Sequence, residues 1–181
     1  MTKKTPSHSN NGYEIYLMRH GIAADRDPSG SADDSKRPLT AEGKLKLRAS
    51  AKGLKRLGVD WDWIVSSPLK RAVETADVVA EELETAAARD LCEALAPEDG
   101  SAQKLISFLS QYPDRASVLL VGHNPSIGEL ASELIGANRD AGVEFKKGGC
   151  CLITYNEFPT AKTSGDLAWL LTPRVLRKMG G

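Results

Sequence analysis

Apolar residues recur along the chain in two rhythms, and their alternation outlines the architecture. Short runs of bulky or β-branched residues predict strands at Glu14–Met18, Trp61–Ser66 and Val118–Val121. Two more are expected near Cys150–Tyr155 and Leu167–Leu171, joined by a polar turn around Lys162–Gly165. Between them, apolar residues fall at helical spacing. One helix is expected from Ala41 to Leu57, with Thr40 as N-cap, Gly58 as a stop, and Leu47, Ala51, Leu54 and Leu57 sharing a face. A second starts at Ser66-Ser67-Pro68, where a serine caps and the proline suits the first turn; it turns Leu69, Ala72, Val73, Ala76, Val79, Ala80 and Leu83 inward. A third spans Ser101–Tyr112, burying Leu105, Ile106, Phe108 and Leu109. A fourth runs to about Ile135, with Asn124 as cap and Pro125 in its first turn. Leu91 and Leu95 flank a weak strand or bend ending at Pro97, and the polar stretch Ala23–Arg37 has the composition of a loop. Strands alternating with helices imply an α/β protein: a three-layer α/β/α sandwich around a mostly parallel central sheet.

Length and charge narrow this picture. The 181 residues suit one domain, expected over 13–181 behind a flexible polar tail at 1–12 that lacks the apolar core of a signal peptide. Lys+Arg and Asp+Glu balance at 24 each, so no basic field points to nucleic acid or an anionic membrane, and an anion site must be local. No apolar run reaches the roughly 18 residues of a membrane span. Three cysteines, two of them the neighbours Cys150 and Cys151, form no disulfide framework; they read as buried strand thiols, consistent with a cytoplasmic setting.

Three expected strands end in polar chemistry. The first ends at Arg19-His20-Gly21, the second leads through Ser67-Pro68 to Arg71, and the third ends at Gly122-His123. Ligands of open α/β sheets bind beyond the carboxyl ends of strands, and neighbouring parallel strands share that edge. Two arginines and two histidines would then line one pocket, suited to a compact dianion such as a phosphoryl group. Glycine at position 21 would let the backbone approach a ligand and turn with positive φ. Singly, His123 could be a helix cap, Arg71 a surface residue and Arg19 an ion-pair partner; their joint placement favours a site. There is no Walker A run and no HExxH or clustered Cys/His spacing, so neither nucleotide nor metal is expected, and no cofactor. Asp25, Asp27, Asp33 and Asp34 miss the calcium-loop register and read as solvated. Two histidines in a cationic pocket point instead to covalent catalysis through a phosphohistidine, the arginines disfavouring imidazolium and leaving a lone pair available.

These segments resemble the histidine phosphatase superfamily, of the phosphoglycerate mutase-like fold. Arg19-His20-Gly21 matches its first motif, Ser66–Ala76 its second and Val121–Pro125 its third; Arg19–Ala23 followed by Arg37-Pro38-Leu39-Thr40 and Gly43 is similar to the SixA-type phosphohistidine phosphatase branch. The likeness runs from about residue 14 to 172. It implies that His20 is the phosphorylated nucleophile, with Arg19, Arg71 and His123 forming the phosphate pocket and His123 bonding a phosphoryl oxygen. Arg37 belongs to the branch signature, with a structural ion pair favoured over substrate contact. Many members place an acidic residue after the second motif to protonate the leaving oxygen. Here Glu93 is the candidate acid, with Asp25, Asp27, Glu98 and Asp99 behind it. A weak or absent acid favours phosphohistidine, whose imidazole leaves more easily than an alkoxide. The compact chain leaves no room for a large lid, so the expected substrate is phosphohistidine in a partner protein. A small phosphorylated metabolite hydrolysed by the same mechanism, or a catalytically silent phosphate-binding module, are the alternatives.

Overall fold

The computed structural model describes residues 12–30, 33–97 and 101–181. Most of the expected tail, and the candidate acids Glu98 and Asp99, lie outside them. Six strands form one sheet: β1 (Tyr13–Arg19), β2 (Trp63–Ser66), β3 (Ala88–Leu91), β4 (Ser117–Gly122), β5 (Cys150–Tyr155) and β6 (Asp166–Leu171). Their spatial order is β3-β2-β4-β1-β5-β6. The first four strands in that order run parallel; β5 pairs antiparallel with β1, and β6 antiparallel with β5. The sheet is therefore mixed, with a parallel core.

Helices α1 (Ala41–Arg56), α2 (Lys70–Leu83) and α5 (Pro173–Gly180) cover one face, and α3 (Ala102–Leu109) and α4 (Ser126–Leu134) the other. Strand alternation divides the core accordingly. Ile15, Leu17, Trp63, Val65, Val118 and Leu120 pack with Leu105, Leu109, Ile127 and Leu130. Tyr16, Met18, Ile64, Leu119 and Val121 pack with Leu47, Leu54, Ala76, Val79 and Leu176. Because β1, β2 and β4 are buried on both faces, only their ends are free to carry polar chemistry. This is a three-layer α/β/α sandwich, and no helix of the described residues is long and apolar enough to cross a membrane.

Several local expectations change. Leu57 is 42% exposed because α1 ends at Arg56 and Leu57 becomes its C-cap. Leu69, Val73 and Leu83 are only half-buried, and Arg71 and Thr75 take buried places on α2. The segment before Leu91 is a true edge strand, and Glu93–Leu95 forms a 3-10 turn. Helix α5 had not been expected; Thr172 caps it by accepting the Val175 N–H, and its buried Leu176 docks it on α1.

The chain packs closely at the entry to α1. Thr40 Oγ1 accepts the Gly43 N–H at 2.9 Å, and Thr40 N–H donates to the Ile22 carbonyl at 3.0 Å. A Cβ on Gly43 would lie 2.1 Å from that same carbonyl oxygen, so only glycine allows the helix to seat against the segment following His20. Gly43→Ala is expected to cost about 1–3 kcal/mol of stability, read as a lower urea midpoint with unchanged m-value.

Candidate functional site

Register brings the strand ends together. Arg19 of β1 lies opposite Gly122 of β4, and Ser66 of β2 opposite Val121 of β4. The residues that follow emerge on one edge of the sheet, where His20 N–H donates to Gly122 O at 3.0 Å and Ser67 N–H to Val121 O at 2.9 Å. The His20 and His123 rings stand 5.0 Å apart, tilted by 51°. Arg71 enters from the first turn of α2 and is 2% exposed. All four residues singled out from the sequence, Arg19, His20, Arg71 and His123, converge there.

His20 is held by its own chain. Its Nδ1 lies 2.7 Å from the Gly21 carbonyl, which can only accept, so Nδ1 carries the proton and Nε2 the lone pair. Gly21 N–H donates to Thr75 Oγ1 at 3.0 Å, and that hydroxyl donates to Arg71 O at 2.7 Å. The backbone beside the histidine is thus tied to the helix that carries the arginine. Gly21 does not adopt positive φ. A Cβ there would meet the Leu39 and Leu47 side chains at 3.4 and 3.6 Å, ordinary van der Waals contact, so neither chain reversal nor lack of space demands glycine at this position.

Arg19 Nη1 donates to Phe145 O at 2.8 Å, and Asn124 Nδ2 donates to the same oxygen at 3.1 Å. Asn124 therefore caps no helix; α4 begins at Ser126 with no side-chain cap. Ser67 departs from expectation in the same way. Helix α2 starts at Lys70 with no side-chain cap, and Ser67 Oγ lies 2.9 Å from His123 Nε2 while accepting the Leu69 N–H at 3.3 Å. Ser67 is fully buried. Arg19 Nε, Arg71 Nε and His123 Nδ1 are buried without a protein partner. Buried donors are normally satisfied, so their convergence suits an acceptor-rich group such as a phosphoryl.

Asp34, one of the four loop aspartates expected to be solvated, instead meets the site. Asp34, in a 3-10 turn over Asp34–Lys36, accepts from Arg71 Nη1 through Oδ2 at 3.0 Å and through its carbonyl at 2.9 Å. Its Oδ1 pairs with Arg37 Nε at 2.9 Å and Arg26 Nε at 3.3 Å. Partial burial pushes this carboxyl up, but the ion pairs with Arg37, Arg71 and Arg26 outweigh it and hold it below the usual carboxylate range. Arg37 has its ion pair with Asp34, and it also lines a cavity of about 970 Å³ with Asp25, Asp27, Leu69 and Pro97. Glu93 is exposed on its turn and does not line that cavity. Among the described residues, no three His, Cys, Asp or Glu side chains gather as a metal site.

Both imidazoles are neutral near pH 7. Burial is the main cause for His20, the Gly21 bond acts against it, and Arg71, Arg19 and Arg37 add to the fall, bringing its pKa to about 4. Burial, then His20 and Arg71, bring His123 to about 3. Both lie below the ordinary 6.5, so below pH 6.5 the unfolded chain binds more protons than the folded one. Stability is fully present above that pH and falls as pH is lowered towards the folded values. Between pH 7 and 5 each histidine is expected to contribute a loss of roughly 1–2 kcal/mol. Urea unfolding at the two pH values should give a smaller difference for His20→Asn/His123→Asn than for the wild type.

Comparison with known proteins agrees with this geometry. Residues 15–96 match the model of the histidine phosphatase superfamily (branch 1). An uncharacterized protein of Picosynechococcus sp. is 37% identical over 167 residues, covering 90% of this chain and 98% of that protein. The phosphohistidine phosphatase SixA of Escherichia coli is 32% identical over 123 residues, covering 67% of this chain and 73% of the relative. The structure of the protein histidine phosphatase SixA complexed with tungstate superposes with a TM-score of 0.74 at 27% identity, covering 89% of this chain and 97% of that one. A putative alpha-ribazole-5'-P phosphatase of E. coli, at 19% identity and a TM-score of 0.66, shares the fold over 89% of this chain and 97% of its own. The chain belongs to the histidine phosphatase superfamily, in its SixA-like branch, and is a hydrolase of that fold.

Proposed function

We propose that the chain is a phosphohistidine phosphatase in which His20 is the nucleophile and a histidine of a partner protein carries the phosphoryl group. The observation that carries this reading is the neutral, oriented His20: its Nδ1–H is fixed on Gly21 O and its Nε2 lone pair is free. Nε2 attacks phosphorus in line as the bond to the leaving group breaks. The leaving imidazole takes the bond's electron pair, eased by a proton already on its other nitrogen. Water then attacks the phosphorus of phospho-His20, the Nε2–P bond breaks with its electron pair returning to Nε2, and inorganic phosphate and His20 protonated on Nδ1 result.

Arg19, Arg71 and His123 bind and stabilise the phosphoryl oxygens. Arg19 and Arg71 offer buried Nε donors. If Ser67 Oγ–H donates to His123 Nε2, the proton of His123 sits on Nδ1, the atom without a protein partner, as a further donor. Among the described residues, neither Glu93 nor Asp34 complements this set as an acid. Glu93 is exposed, and Asp34 is held ionised by three guanidiniums, so it has no proton to give near neutral pH. An unassisted departure is tolerable for imidazole and poor for an alkoxide, which supports the phosphoramidate over an alkyl ester. The cavity lined by Arg37 and Asp34 includes none of Arg19, His20, Arg71 or His123 in its wall; it lies beside the Asp34–Arg71 pair, where a partner protein could dock.

Two measurements test the reading. After brief exposure to radiolabelled substrate and an alkaline quench, wild type should retain label and His20→Ala should retain none; label persisting in the variant removes His20 as nucleophile. Turnover of a phosphohistidine protein should exceed that of an alkyl phosphate in kcat/KM by at least about 100-fold, and Glu93→Gln should leave both nearly unchanged. A large loss on the ester alone would assign Glu93 as the acid and make a metabolite the substrate.

A further inference from the structure

Arg71 is gripped from one side only. Its Nη1 makes both contacts with Asp34, to the carbonyl at 2.9 Å and to Oδ2 at 3.0 Å, whereas its Nε is buried without a protein acceptor. The guanidinium is planar and rigid, so fixing Nη1 fixes the direction in which the remaining edge points. Asp34 is itself fixed from several directions. Asp33 Oδ1 caps its turn by accepting the Ser35 N–H at 3.0 Å, and Arg37 N–H donates to Asp34 O at 3.3 Å. Arg37 Nε holds Asp34 Oδ1 while Arg37 Nη1 donates to Ala24 O at 2.8 Å. At the base of the loop, Ala23 pairs with Leu39, whose N–H donates to Glu74 Oε2 of α2 at 2.7 Å. The loop is thereby anchored at its base to the same helix whose arginine it holds at its tip.

We infer that Asp34 is a positioning residue of the phosphate site: it holds Arg71 by the Nη1 edge, so that the Nε edge is presented to the phosphoryl oxygens. This makes the segment 33–37 a working part of the site, and it gives Arg37 a definite task, which is to hold Asp34 in place. The inference rests on the proposed role of Arg71 as a phosphate ligand.

Removing the Asp34 carboxylate has two opposed effects. It raises the positive potential around Arg71, which would tighten anion binding, and it frees a flexible side chain that must then be ordered by the ligand, which would weaken it. The carboxylate is 39% exposed, so its through-space repulsion of an anion is screened, while Arg71 is buried and its orientation depends on direct bonds. Loss of the grip should therefore dominate, and the sign of the change separates a positioning residue from a competing counter-ion.

Tungstate affinity, measured by titration calorimetry, decides between them. Asp34→Ala should raise Kd about ten-fold, the loss of one charge-assisted contact, and Asp34→Asn should shift it the same way by less. In an Arg71→Ala background, which should itself bind far more weakly than wild type, Asp34→Ala should add no further loss. Asp34→Asn keeps the size and most of the bonding capacity of the turn, so a common direction in both variants excludes simple misfolding. Tighter or unchanged binding in the two Asp34 variants, or an equal loss with and without Arg71, would overturn the inference. If Arg71→Ala binds tungstate as wild type does, the assignment of Arg71 as a phosphate ligand fails first and this inference falls with it. If Arg71→Ala is weakened and the Asp34 variants are not, only the role of Asp34 is lost.

Discussion

A guanidinium that is 2% exposed sets the terms for everything around the strand ends. Arg71 cannot shed its charge, and an unpaired cation removed from water costs several kcal/mol. Its protein contacts come from Asp34, on a loop more than thirty residues earlier in the chain. The loop must reach the first turn of α2, α2 must sit where its arginine meets that loop, and both must meet the carboxyl edge of the sheet. Thr75, one helical turn after Arg71, completes the link: its hydroxyl joins the Arg71 carbonyl to the Gly21 N–H. Burying this cation therefore couples the loop, the helix and the backbone beside His20.

Such coupling needs a rigid base, and the parallel strands supply it. With β1, β2 and β4 buried on both faces, a one-residue slip in any of them would exchange two packed cores at once. Register is consequently fixed, and so is the relative height of His20, Ser67 and His123. The same double burial explains why so much of this site is legible in the sequence. Apolar runs ending abruptly in Arg-His-Gly, Ser-Ser-Pro and Gly-His leave the polar residues nowhere to go but the sheet edge. The observed strand order, with β4 between β2 and β1, brings those three ends side by side.

What was not legible depends on competition between local and distant partners. Ser67 and Asn124 both precede helices, and local statistics make each an N-cap. In the fold both turn to buried groups across the sheet edge, Ser67 to His123 and Asn124 to Phe145, while backbone carbonyls such as those of His123 and Leu69 accept from the first N–H groups of the helices. Asp34 was hidden for a related reason. In a run of loop aspartates nothing local distinguishes the carboxylate that meets a buried arginine from those that meet solvent or nearby serines, as Asp27 meets Ser29. Helix α5 escaped notice because it is short and amphipathic, and its stability comes from Leu176 against α1 rather than from its own composition.

Charge balance gives the arrangement its chemical sense. The whole chain is neutral, so the pocket's field is made locally. Arg19, Arg37 and Arg71 act together to lower the His20 pKa, and Asp34 offsets one of those three charges. Cationic charge still exceeds the one carboxylate there, which suits a phosphoryl dianion. The histidines add no charge of their own, since burial and the arginines keep both neutral near pH 7. Once a phosphoryl dianion enters, part of that cationic field is cancelled, and a transferred phosphoryl group then sits among the donors that received it. On the proposed reading, the arginines bind charge and the lone pair of His20 is left to do the chemistry. The carboxylate that tempers the field is, on the same reading, ion-paired and has no proton to give near neutral pH, which favours a reaction whose leaving group needs little help.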